Sequence, residues 1–505
     1  MKSRVQPVGI IMVFILLAAC IGNETTVKLP PTAVPAPATT SVGKSSSATV
    51  APLPVTRQPA SAPADTQAGS SLAAHGPWLV YHTDRGLGAV SADGASHALL
   101  TGPLYLANDD LSGYTISANG GWAALRVGED RITGVGTVLQ LLHLPDGKLR
   151  PITRLLSPDL ENAMADARGD RVAATDAGIA ITLKDTARWS PDGQHLAFVG
   201  AIDGPSADLY VYDVQNQKIK RLSDGPGQVA QIFWSPDSQR IVFEEVTDFG
   251  IGAGYTLKAK AVWTAAPDGS GATRLYTAPA YSGNEVFVAW SAPDTMVVYT
   301  WTAGGLRDAR AVNVNSGKVA PIHTAPFFDA FAFDPQSGTA VYAVSEATAR
   351  DGGPARGLYL ESPGHDQPQL IDPGEWHDLV WSPYAGQFFA SGDAGILGMT
   401  PAGETTRFDQ ESLLPAVSLD GNWQAFWGDG YFTQPAGLRL YARNGQLQRN
   451  IMSDSVSLAT WSPDAQGIFY VSNGALYFVR LPDGQPISID KGVQASSEGG
   501  LGWVP

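Results

Sequence analysis

WSPDGQHLAF, Trp189 to Phe198, returns as WSPDSQRIVF from Trp234 and as WSPDAQGIFY from Trp461. Each copy reads as the apolar end of one strand, a tight turn, and the apolar start of the next. Pro191 fixes φ at the first corner, Asp192 can bond its own backbone, and Gly193 supplies an exit at positive φ. The HLAF that follows is rich in strand formers, so the unit is an antiparallel hairpin. A lone hairpin cannot bury its apolar face, so a chain that repeats it must stack the copies.

Weaker versions of the same anchor stand at Ser117 (SANGGWAAL), Ser291 (SAPDTMVVY), Asp334 (DPQSGTAVY), Ser382 (SPYAGQFFA) and Ser418 (SLDGNWQAF). With Ser190, Ser235 and Ser462 they fall 36 to 56 residues apart after a first interval of 73, centred on the length of a four-stranded propeller blade. Each hairpin is followed by another apolar strand ending in a turn, as in LYVYDVQN to Asn216 or LYFVRLPDG to Gly484, and then by a shorter polar-tipped strand such as KIKRLS. The fold class is therefore all-β, a β-propeller of four-stranded blades.

At the start, Trp78 to Thr101 supplies three strands with no anchor before them. At the other end GLGWVP supplies an innermost strand, with Trp503-Val504-Pro505 matching Trp189-Ser190-Pro191. The two stretches complete one blade and hide the edges of an open sheet. Anchors plus closure count nine units. Propellers typically have four to eight blades, so eight are expected, within a range of seven to nine.

The totals agree with this architecture. The chain has 505 residues, 55 Gly, 36 Pro and 16% charged residues, a balance that suits short strands and turns over long helices. A formal charge of −15 argues against nucleic acid and against a basic patch resting on an acidic membrane. The single cysteine excludes an intrachain disulfide framework and a cysteine zinc site.

Lys2 and Arg4 precede an apolar run, Val8 to Ala19, too short for a membrane span and shaped like a secretory signal over 1–19. Its end, Leu17-Ala18-Ala19-Cys20, resembles the bacterial lipobox, and the resemblance implies that Cys20 becomes the lipid-modified first residue of the mature chain. Ile21 follows, not the Asp that resembles an inner-membrane retention signal. From Cys20 to Gly76 the sequence is dominated by Pro, Ala, Thr and Ser and reads as a disordered, partly polyproline linker. Residues 77–505 form the propeller. The expected location is outside the cytoplasm, lipid-anchored on the outer face of a bacterial cell membrane or in an outer membrane.

The WSPDG hairpins resemble those of the TolB-type propeller family, sharply at Ser190, Ser235 and Ser462 and in degraded form elsewhere, over about Pro77 to Pro505. The resemblance implies a seven- or eight-bladed ring, often in the bacterial envelope, that binds proteins or other ligands and usually has no chemistry of its own. The motif residues hold turns together, so none is carried over as functional.

Antiparallel strands place the short SPDG and PDG turns at one end of the ring and the long connections at the other. The long-loop end is the better binding face. On it fall Asp248, Phe249 and Tyr255, then Trp301, Arg350 and Arg356, then Asp429, Tyr431 and Phe432, residue types that anchor partners. No GxSxG elbow, HExxH, DxDxDG calcium loop or phosphate-cradling GxxxxGK[ST] occurs, and no α/β stretch follows the ring. The eight histidines are scattered without ligand spacing. The expectation is a binding or scaffold module for envelope proteins or other ligands, with no catalytic residues, metal or cofactor, and not an enzyme. The alternative is a metal-dependent polysaccharide lyase or glycosidase with a site in the central channel.

Overall fold

The computed structural model describes residue 72 and residues 76–505, apart from 107–113, 129–133, 167–174, 184–185, 248–258, 278–282, 303–304, 323–327, 351–353, 409–413, 429–435, 453 and 496–499. Nine sheets form the ring. Blades 2 to 9 occupy 114–154, 187–221, 228–277, 283–321, 330–372, 376–408, 416–452 and 458–491, each an antiparallel sheet of four strands in sequence order. Blade 1 joins the two ends of the propeller. Trp78–Thr83, Gly86–Ser91 and His97–Leu99 receive Leu501–Val504 as the inner strand, in the register Trp78 to Val504, extended by Val493–Gln494 opposite His82 and Thr83. The count is nine, at the top of the expected range and one above the favoured eight. The degraded anchors at Ser291, Asp334, Ser382 and Ser418 all head complete sheets, because alternating apolar strands carry a blade even where the turn has drifted.

The repeated hairpin is a small hydrogen-bond device. Ser190 Oγ donates to Asp192 Oδ1 at 2.6 Å and accepts the His195 amide at 2.9 Å, while Asp192 Oδ1 accepts the Gln194 amide at 2.9 Å. The same bonds recur at Ser235 with Asp237, Ser418 with Asp420 and Ser462 with Asp464, and at Ser117 with Asn119. Gly193 takes φ 68°, and a Cβ there would lie 2.5 Å from the Asn119 side chain in the neighbouring turn. At the equivalent position Ser238 and Ala465 accept φ 61° and 57°, so the turn demands the conformation more than it demands glycine.

The tryptophan ahead of each sharp turn ties its blade to the one before. Trp189 Nε1 donates to Thr115 O (3.1 Å), Trp234 Nε1 to Arg188 O (3.0 Å) and Trp461 Nε1 to Ala416 O (3.0 Å), each acceptor lying two residues before the preceding blade's anchor. Trp503 closes the ring in the same manner, donating to Thr460 Oγ1 at 3.2 Å. Trp234→Phe keeps the ring stack and removes one donor, so an unfolding free energy lower by about 1 kcal/mol is expected in urea titration.

Apolar packing follows the seams between blades. Separate clusters fill the seams from blade 4 to blade 5 (Val242, Val262, Met296), 5 to 6 (Tyr299, Phe331, Tyr342), 6 to 7 (Trp376, Phe388), 7 to 8 (Phe389, Phe426), 8 to 9 and 9 to 1, and one larger cluster spans blades 2 to 4. The outermost strands are exposed, as in Lys218–Arg221 and Val319–Pro321. Lys and Pro there discourage edge-to-edge pairing.

Among the described residues, three short helices depart from the strand-only reading: α1 (Pro158–Asp166), α2 (Thr175–Thr182) and α3 (Glu346–Arg350). All lie in long connections. The start of α1 was legible in Ser157-Pro158-Asp159, an N-cap serine followed by proline at the first helical position; the Leu160 amide donates to Ser157 Oγ at 3.3 Å. Helix α2 is docked into the ring, with Ala177, Ala180 and Ile181 buried against blades 3 and 4. Its C-terminal carbonyls are met by the buried Arg126, whose Nη1 donates to Ile181 O (2.8 Å), Leu183 O (2.6 Å) and Thr186 Oγ1 (3.0 Å). Helix ends leave such carbonyls unpaired, and a cation there is doubly favourable.

Candidate long-loop binding face

Each blade's second-to-third connection and the links between blades lie at one end of the ring. Of the residues read there from the sequence, Arg350 and Arg356 are described in full and converge. Arg350 closes α3 and pairs with Glu346 at 2.9 Å. Arg356 reaches Glu346 at 4.0 Å and Glu375 at 3.7 Å, and its Nε donates to Pro373 O at 3.1 Å. The Glu346 amide donates to Glu375 Oε1 at 3.2 Å, so the cluster joins blade 6 to blade 7. Its ion pairs are exposed, worth little to stability, and available to a partner. Trp301 lies at the end of Thr295–Thr302, paired through its backbone with Asn284 and Leu306. Asp248, Phe249, Tyr255, Asp429, Tyr431, Phe432 and Cys20 lie outside the described residues.

Further charged groups at this end were not singled out from the sequence. Arg221 bridges Asp203 (3.3 Å), the buried Asp208 (2.6 Å) and Asp224 (2.8 Å). Burial raises the Asp208 carboxyl, and hydrogen bonds from Ser223, Ser206 and Arg221 pull it back. Glu245 holds Lys260 at 2.6 Å and accepts Trp263 Nε1 at 2.9 Å. Asp329 receives the Ser345 amide and both the Ser345 and Thr348 hydroxyls. Asp490 takes the Tyr81 hydroxyl at 3.0 Å and a bond from Arg85, fastening blade 9 to blade 1. At the inner edge of blade 7, burial raises Asp378, which accepts Ser391 Oγ at 3.1 Å. Carboxylates outnumber cations in this set. The contributing residues are far apart in sequence, and no local motif marks them.

Among the described residues, no group of three His, Cys, Asp or Glu is placed to hold a metal ion, and no helix is long and apolar enough to cross a membrane.

The fold defines a nine-bladed β-propeller. No family model matches the chain. A curated protein of Bacillus subtilis (strain 168), named uncharacterized peptidase YuxL, is 40% identical over 55 residues, which is 11% of this chain and 8% of that protein. The matched stretch is thus a small part of that relative's length. A solved eukaryotic initiation factor is similar over 85% of this chain and 98% of its own, at 12% identity and TM-score 0.51, a likeness of fold alone. Structural neighbours also include TolB from Acinetobacter baumannii (15% identity, 57% of this chain and 60% of that one, TM-score 0.28) and a prolyl endopeptidase (14%, 74% and 55%, TM-score 0.39).

These names correct one expectation. The sequence reads as that of a non-enzyme, whereas the curated protein it matches over 55 residues is named a peptidase. The expectation that the chain is not an enzyme is withdrawn. Its physical weakness is that a missing nucleophile motif describes one local segment, while a ring brings distant positions together.

Proposed function

We propose that the chain is an exported, lipid-anchored propeller that serves as a binding or scaffold module, engaging an envelope protein or another extracytoplasmic ligand through its long-loop end. The asymmetry of the ring carries this reading: stiff hydrogen-bonded turns occupy one end, and charged, helix-bearing connections the other. Loops held on a rigid frame are the usual place for recognition. The excess of carboxylates favours a partner with a basic surface. A lipid on Cys20 would hold the protein at a membrane without any basic patch.

Two variants test the two halves of the proposal. Cys20→Ser is expected to shift the protein from membrane to soluble fractions and abolish incorporation of labelled fatty acid; unchanged partition would remove the anchor. Asp224→Lys with Glu346→Lys, both exposed carboxylates of this face, is expected to weaken crosslinking to the cognate basic envelope partner at least tenfold with the melting temperature unchanged. Undiminished crosslinking would move the site elsewhere.

A second reading, an enzymatic role on peptides, is favoured by the 55-residue likeness to a protein named a peptidase. Cleavage of a mixed peptide library by the purified chain would support it, and an unchanged library would remove it.

A further inference from the structure

The seam between blades 4 and 5 is built unlike its neighbours. Its buried apolar cluster is Val242, Val262, Met296, Val298, Val312 and Val314, whereas the next seam buries a larger set rich in aromatic rings, Tyr299, Phe328, Phe331, Phe333, Tyr342 and Tyr359 among them. Charged groups cross it. Glu244 of blade 4, 2% exposed, accepts the backbone amide of Glu285 of blade 5 through Oε1 at 2.9 Å. Tyr276 of blade 4 donates its hydroxyl back across to Glu285 Oε2 at 3.0 Å. Glu285 also takes Thr300 Oγ1 at 2.9 Å and the Arg310 guanidinium, which lies 5.1 Å from the centre of the Tyr276 ring.

Arg310 is committed to Glu285. Glu244 Oε2 has no hydrogen-bond partner among the described residues, nor has Thr264 Oγ1 in the same seam. The space beside Glu244 is about 10 Å3, lined by Phe233, Val242, Val262, Phe287, Met296 and Val298, too small to hydrate a carboxylate. An ionised, unpaired carboxylate buried there would be costly, so the geometry itself selects the uncharged acid. Among the described residues, the titratable groups facing it are Glu285 and Tyr276, with Arg310 beyond them and Arg188 over the Phe233 ring at 5.5 Å; the Thr264 and Thr300 hydroxyls and apolar side chains complete the surroundings. Burial first, and the Glu285 charge after it, push the Glu244 carboxyl up to about 8.

We propose that blades 4 and 5 meet at a proton-linked latch, shut while Glu244 is uncharged and able to part when it ionises into water. The strand that carries Glu244, Ile241–Val246, runs towards the long-loop end of the ring, so opening this seam would shift that end of blade 4. The sign follows from linkage. Glu244 keeps its proton in the closed seam up to about pH 8 and loses it near the ordinary glutamate value of 4.5 once exposed. Between those limits each unit of pH raises the opening constant by up to about tenfold, and above the upper limit the effect is flat.

The test is hydrogen exchange by mass spectrometry on the full-length chain from pH 5 to 9, corrected for the intrinsic exchange rate. Blade 6 strands Ala330–Phe333 and Ala340–Val344 serve as internal reference. Protection of Ile241–Val246 and Gly283–Ala292 is expected to fall relative to blade 6 as pH rises towards 8, then level off. In Glu244→Gln that pH dependence should vanish, and Glu244→Leu should behave alike if the amide itself disturbs packing. Parallel protection of the two seams at every pH, or a slope that survives both substitutions, would overturn the latch.

Discussion

Deleting Leu501–Val504 with Pro505 is expected to open the ring and lower the melting temperature by about 5 °C or more. Those four residues are the inner strand of blade 1, paired with Trp78, Leu79, Val80 and Tyr81. Val504 is buried with Trp78, Leu142 and Leu144, and Trp503 packs edge-on to Phe469 at 5.7 Å. At about 1.5–3 kcal/mol for each large apolar side chain returned to water, Leu501, Trp503 and Val504 together account for roughly 5 kcal/mol, and each kilocalorie is worth about 1 °C in a propeller of this length. The deletion also bares the edge of Trp78–Thr83, a strand buried along its whole length, so oligomers should appear in size-exclusion chromatography. A truncated chain that melts within a degree or two of the intact one, as a monomer, would show that closure does not hold the ring.

Arg310→Met is expected to be nearly as damaging, for an electrostatic reason. The guanidinium donates to Glu285, to Thr300 Oγ1 at 3.0 Å and to Asp308 O at 2.8 Å, and both Arg310 and Glu285 are buried. Methionine matches much of the volume but leaves the buried Glu285 carboxyl without its cation. Breaking a buried pair from one side typically costs about 3–5 kcal/mol, whereas neutralising both sides costs much less. Arg310→Met with Glu285→Gln should therefore recover more than half of the loss in urea unfolding, a coupling a double-mutant cycle reads directly. A single variant within about 0.5 kcal/mol of the parent, the range of surface substitutions, would mean that water reaches the pair.

Much of this architecture was legible in the chain. Turn chemistry is local: Ser190, Asp192 and Gly193 specify their hairpin within six residues, and the bonds they make are those their side chains allow. Strand alternation is local too, so the blade repeat and the closure by Trp503-Val504-Pro505 could be read from spacing alone. The favoured count fell one short because it was set by the usual size of such rings, although the anchors themselves numbered nine with the closure. Helix α1 was missed although Ser157-Pro158-Asp159 announced it. Helix α2 carried no such mark, since it is held by burial against blades 3 and 4 and by Arg126 from blade 2.

The face was legible only as an end of the ring. Alternation of strand direction tells which connections share an end, and so brought Arg350 and Arg356 to one side. That they meet through Glu346 and Glu375, or that Arg221 gathers Asp203, Asp208 and Asp224, depends on distances between strands that no periodicity encodes. The Glu244 seam shows the division most sharply. Glu244 and Glu285 stand 41 residues apart in strands that each read as ordinary blade strands. Repeat and turn are properties of neighbours along the chain, whereas the protonation of a buried acid is set by its neighbours in space, which exist only once nine blades have closed on one another.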